Sequence, residues 1–151
     1  MGIRFLSPPR KKILTARHQI TCMRLHWPLF SASQAGNKIR WVGPIQPTPL
    51  STTYKVSVDY ELGIGPDVRV IAPTLTVRPG AEKLPHVYSG NRLCLYVPGS
   101  GQWNPSRPIS ETTIPWTSLW LYFYEVWHAS GEWLGGGEHS ASGPKTPEGE
   151  K

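Results

Sequence analysis

Apolar residues fall at Ile13, Ala16, Ile20, Met23 and Trp27, a 3-4-3-4 spacing that draws one stripe along a helix. Ser7-Pro8-Pro9 supplies a start, with Ser7 as cap and Pro8 at the first helical position, and Pro28 supplies the stop. Arg10, Lys11, Lys12, Arg17 and Arg24 surround the stripe, so an amphipathic helix with a positive outer face is predicted. From Lys38 to Pro73 the period changes to two. Ile39 and Trp41 alternate with Arg40 and Val42, and Tyr54, Val56, Val58 and Tyr60 alternate with Thr53, Lys55, Ser57 and Asp59. Val68 and Val70 straddle Arg69 in a shorter strand, and short Pro-, Gly- and Thr-rich turns between them predict an antiparallel meander with one buried face. Residues 74–110 hold little regular pattern beyond Arg92 to Val97.

A second helix opens at Thr113 and Pro115. Trp116, Leu119, Trp120, Phe123 and Trp127 form its stripe, with Leu121, Tyr122 and Tyr124 off it, so it is apolar nearly all round. Such a helix is either buried on two sides or carries a partner-binding face. Five of the seven tryptophans lie between Trp103 and Trp133. Burial on two sides is the simpler account; the sharper alternative, suggested by that excess, is an aromatic partner-binding face through Leu121, Tyr122, Tyr124 and Trp133. Gly131 to Gly137 reads as a stop signal.

The length of 151 residues allows one domain, expected over residues 1–139, with the polar residues 140–151 as a disordered tail. Sixteen prolines and 15 glycines favour loops over long helices. No run approaches the roughly 18 apolar residues of a membrane span. The basic amino end has no apolar core after it, so no signal peptide is expected. Gly2 lacks the Ser or Thr at position 6 that myristoylation favours, since Leu6 stands there. Two cysteines without a secretory signal point to a cytoplasmic setting. The net charge of +6 is uneven: residues 1–40 hold eight Lys/Arg, and Asp59 is the first acid. A basic segment admits nucleic acid as a partner, but no recognised binding motif accompanies it, and a solvated helix face is the simpler account.

Cysteine is the strong nucleophile candidate. Cys22 lies beside the first stripe and reads as core. Cys94 stands in Leu93-Cys94-Leu95-Tyr96, bracketed by Leu84-Pro85-His86-Val87-Tyr88 upstream and Gln102-Trp103-Asn104-Pro105 downstream. Both brackets are turn-forming and aromatic-anchored, the kind of irregular backbone where functional residues concentrate. Trp103 reads as a packing anchor for the following loop. His128, Glu138 and His139 match no zinc spacing, so no metal and no cofactor is expected. No phosphate-cradling loop is present, so activation of a carboxylate must come from elsewhere.

These segments resemble the ubiquitin-conjugating enzymes, whose active-site segment is His-Pro-Asn, seven residues, then a cysteine preceded by Leu or Ile, with Trp-Ser-Pro shortly after. Here the counterparts are Leu84-Pro85-His86, seven residues, Cys94 after Leu93, and Trp103-Asn104-Pro105. Ile39 to Pro44, Thr53 to Tyr60 and Pro66-Asp67-Val68-Arg69-Val70 resemble the family's strands, and the resemblance covers about residues 8–130. More closely the chain is similar to the short ubiquitin-conjugating-like proteins of bacterial anti-phage cyclic-nucleotide (CBASS) operons, with Gly131-Glu132-Trp133-Leu134-Gly135-Gly136-Gly137-Glu138-His139 at the end.

The resemblance implies an α+β fold: an amino-terminal helix, a four-stranded antiparallel meander, a long active-site loop and a carboxy-terminal aromatic helix. It also implies a thioester on Cys94 with the carboxyl terminus of a cGAS/DncV-like nucleotidyltransferase partner, then transfer to an amine. Two departures from the motif stand out. His86 replaces the family's Asn, which steadies the loop and the oxyanion, and can still donate a hydrogen bond. The glycine usually three residues before the cysteine is displaced by one, to Gly90. Two other readings remain open: a non-catalytic module that scaffolds the nucleotidyltransferase through the aromatic helix, and a basic nucleic-acid-binding adaptor.

Overall fold

The computed structural model describes residues 12–135. The chain runs α1 (Ala16–His26), β1 (Ser31–Ala35), β2 (Lys38–Ile45), β3 (Tyr54–Glu61), β4 (Gly65–Ala72), β5 (Val87–Tyr88), β6 (Arg92–Leu93) and α2 (Thr113–Ser130). The first four strands form one antiparallel sheet in the order β1-β2-β3-β4, which is the expected meander.

Alternation decides which face of the sheet is buried. Ile39, Trp41 and Ile45 of β2 pair with Tyr60, Val58 and Tyr54 of β3, and Val58 pairs with Val68 of β4. All of these are buried, and they meet Met23 of α1 and Ile114, Trp120 and Leu121 of α2 in one core. Gly43 continues the inner row without a side chain because the ring of Phe30 occupies that space. β1, Ser-Ala-Ser-Gln-Ala, is exposed at every position. It lacks the alternation that marks the others and is held by its ladder to β2.

Three expectations are corrected. The first helix begins at Ala16, where the Thr15 hydroxyl accepts from the His18 N–H at 3.1 Å; residues 12–15 are non-helical, and Ser7 lies outside the described residues. A Thr cap directly before buried Ala16 sets the start of this helix. Ile13 therefore leaves the stripe and is half exposed. On α2 the buried face runs through Thr113, Ile114, Thr117, Trp120, Leu121, Tyr124 and Trp127, which rotates the helix relative to the aromatic stripe. Thr117 goes inside with its hydroxyl satisfied locally, donating to the Thr113 carbonyl at 2.7 Å. The helix stops at Gly131, which takes the left-handed conformation (φ 83°) and donates to the Trp127 carbonyl.

Long connections are tied down by side chains. Gln19 of α1, fully buried, accepts from the Ile109 N–H at 2.8 Å and donates to the Arg107 carbonyl at 3.3 Å. The Trp27 indole donates to the Ser110 carbonyl at 2.8 Å. The loop that follows Cys94 is thus moored to α1 before it enters α2.

Candidate functional site

The seven residues between His86 and Cys94 form a small hairpin. β5 pairs antiparallel with β6, Val87 opposite Leu93 and Tyr88 opposite Arg92, around a turn at Ser89–Asn91. Gly90 (φ 75°) and Asn91 (φ 57°) both take the left-handed conformation that the turn requires. The Cys94 N–H donates to the His86 carbonyl at 3.0 Å and closes the base of the hairpin. The Trp120 indole donates to the same carbonyl, also at 3.0 Å. His86 itself is left-handed (φ 55°). Asn and His are among the few side-chain types that tolerate this region, a backbone reason for one to stand in for the other.

Around the sulfur the structure adds a residue that the sequence reading took only as part of a turn. The Cys94 thiol donates to the Tyr88 hydroxyl at 3.2 Å. In the thiolate form the sense reverses and the phenol donates to sulfur. Burial first, then the bond to Cys94, pushes the Tyr88 phenol up to about 12, against the opposing influence of Arg92. The Arg92 guanidinium lies 5.5 Å over the Tyr88 ring and pairs with Asp67 at 3.3 Å. Tyr88 is therefore a neutral donor at ordinary pH. The signal that finds it is period two: Tyr88 faces Arg92 across the ladder, and Cys94 is two residues on from Arg92, so all three share one side of the hairpin.

Cys94 opens on an aromatic groove of about 500 Å³. Trp116, Leu119, Trp120 and Phe123 of α2 form one wall, and Tyr96 and His86 belong to the other. Tyr96 stacks on Trp103 at 6.1 Å, and Trp103 meets Tyr60 edge-on at 6.0 Å, which anchors the loop after the cysteine to the sheet. A depression of similar volume, about 480 Å³, lies on the sheet beside Arg40, Asp59, Glu61 and Asp67 and contains no cysteine. There Asp59 accepts from Arg40 at 3.5 Å and forms an ion pair with Arg69 at 3.7 Å, which marks a structural charge network.

The order of elements, the hairpin before the cysteine and the moored loop after it are features of a ubiquitin-conjugating-like domain. A family model described as Type II CBASS E2 protein matches residues 19–140. The chain belongs to this family. No curated protein matches it. As a CBASS E2 protein it is ubiquitin-conjugating-like and belongs to antiviral defence, and thioester-forming transferase activity is what the family implies.

Within this CBASS E2 protein the residues expected to bind a partner divide. Leu121 is fully buried and Tyr124 nearly so, with its hydroxyl accepting from the Thr76 N–H at 3.0 Å, so both belong to the core and not to a surface. The rotation of α2 that buries Thr113 and Thr117 carries these two inward. Tyr122 is exposed, as is Leu119 beside the groove, while Trp133 is half-buried against His86. Cys22 is half-buried on α1, where burial first and then Glu111 push its thiol up. His128 engages the Thr76 hydroxyl at 2.9 Å, and Glu138 and His139 lie outside the described residues. Among the described residues no helix is long and apolar enough to cross a membrane, and no cluster of His, Cys, Asp or Glu suits a metal ion.

Proposed function

We propose that Cys94 carries an acyl group as a thioester with the carboxyl terminus of a cGAS/DncV-like nucleotidyltransferase and passes it to an amine. The single observation that carries this reading is the seating of Cys94. Its N–H is tied to the His86 carbonyl, its sulfur lies 3.2 Å from the neutral Tyr88 hydroxyl, and it opens on an aromatic groove. Thioester chemistry needs a sulfur nucleophile, because the acyl group must stay activated while it is carried. The Cys94 thiolate attacks the carboxyl carbon, already activated by another protein, and the activating group leaves. Tyr88 donates to the thiolate before attack. An incoming neutral amine then adds to the thioester carbonyl, the carbon–sulfur bond breaks, and the proton lost by the amine nitrogen is taken up, through water, by the departing Cys94 thiolate as the amide forms. His86, at the base of the same hairpin, supplies a ring N–H for the developing oxyanion. Tyr122 and Trp133 remain as partner contacts.

Purified CBASS E2 protein, its nucleotidyltransferase and an activating enzyme, run on non-reducing gels, test the carrier. We expect Cys94→Ala to abolish an adduct that reducing agent removes, and Cys22→Ala to leave it. An adduct that survives without Cys94 moves the site. Unaltered nucleotidyltransferase binding with no adduct in the wild type favours the scaffolding module.

A further inference from the structure

The five residues after α2 turn back across the site. Gly131 reverses the chain against Arg78, whose Nε donates to the His128 carbonyl at 3.2 Å. Trp133 then lies flat on His86, ring centroids 4.6 Å apart and planes 13° from parallel. It is wedged there by Trp120 at 5.4 Å and Phe123 at 5.8 Å. Gly135 finishes the turn so close to the Phe123 ring that a Cβ at this position would collide with it. The His86 carbonyl is meanwhile clamped by the Cys94 N–H and the Trp120 indole. The backbone of His86 is thus fixed from one side and its imidazole plane from the other.

We propose that residues 131–135 form a strap whose Trp133 is the positioning residue for His86, fixing the imidazole plane beside Cys94 for the step that transfers the acyl group. This rests on the acyl-carrier reading above. A stacked indole leaves both ring nitrogens at the imidazole edge, where hydrogen bonds are made, and removes the rotation about the side-chain bonds that would swing the donor away. Misplacing such a donor by about 1 Å typically slows a reaction by up to roughly a hundredfold. Trp133 touches neither the acyl group nor the amine in this account.

A synthetic peptide ending in a glycyl mercaptoethanesulfonate thioester loads Cys94 without an activating enzyme: the Cys94 thiolate attacks the carbonyl and the small thiolate leaves. Loading and discharge to free lysine are then timed separately on the full chain. Trp133→Ala should slow discharge about tenfold more than it slows loading, and Trp133→Phe should recover most of that loss. Adding Trp133→Ala to His86→Ala should slow discharge no further, because both changes remove the same donor. Gly135→Ala, which pushes the strap off Phe123 with Trp133 intact, should behave like Trp133→Ala. Additive losses, or wild-type discharge by Trp133→Ala, overturn the proposal. In the unloaded protein the His86 ring protons should sit upfield in the NMR spectrum under the indole face and move downfield in Trp133→Ala. Unmoved His86 protons overturn the strap even if loading succeeds. Failure of the wild type to load, with the upfield shift intact, overturns the carrier reading while the contact stands.

Discussion

Tyr54 is a buried phenol set against a carboxylate. Tyr54 donates to Glu125 at 3.0 Å, and Ser51 donates to the other carboxylate oxygen at 2.8 Å. Burial first, then Glu125, raises the Tyr54 phenol well above its ordinary value of 10.0, because ionisation would set a phenolate against a carboxylate. The unfolded chain releases this proton near pH 10 and the folded chain at higher pH. The stability tied to Tyr54 is therefore whole below pH 10 and is lost as pH rises beyond it. Tyr54→Phe should cost about 2 kcal/mol near pH 8, the worth of a hydrogen bond to a charged group. It should also flatten the fall above pH 10. Urea midpoints between pH 8 and 11 measure both effects, and parallel curves for the two proteins would remove Tyr54 from the account.

At the scale of elements, close packing makes single atoms matter. An added Cβ at Gly43 would come within 2.5 Å of Cγ of Phe30, whose ring is buried. Gly43→Ala should destabilise by about 2 kcal/mol through overpacking. Pairing it with Phe30→Leu should return part of that loss, and denaturant midpoints at an unchanged slope would show it. The same packing explains what the sequence made legible. β3 could be read directly, since Tyr54, Val56, Val58 and Tyr60 alternate with polar residues and all four are buried. β1 could not, because its ladder to β2 holds it while its side chains remain in water. The α2 stripe misled because size was taken for depth: Leu119 is half exposed while Thr113 and Thr117 are fully buried. At the site, the spacing from His86 to Cys94 was legible as a bracket, and the structure joins the two by one backbone bond. Tyr88 was legible only through the period-two relation of Arg92 and Cys94 once the hairpin pairing is known, and the Trp133 stack was not legible. Two-residue strands do not announce their own pairing, and a return across a helix end leaves no local pattern.

For the whole molecule, the distribution of charge decides between a protein partner and a nucleic acid. Three arginines of the strands are matched: Arg40 and Arg69 pair with Asp59, and Arg92 pairs with Asp67. On α1 and just before it Lys12, Arg17 and Arg24 are exposed, and the helix carries no acid in its first turn. A single helix face of this kind neutralises about three phosphates, so log affinity should fall with log salt at a slope near −3. Going from about 50 to 150 mM salt then costs roughly twentyfold, and weak binding at low salt disappears. A docked protein loses mainly association rate over the same range, since apolar contacts are insensitive to salt. Labelled single- and double-stranded oligonucleotides titrated at about 150 mM salt should show no micromolar binding, with Lys12, Arg17 and Arg24 changed to alanine as the control. Tight binding that depends on those three residues would make this face a nucleic-acid surface and favour the basic adaptor.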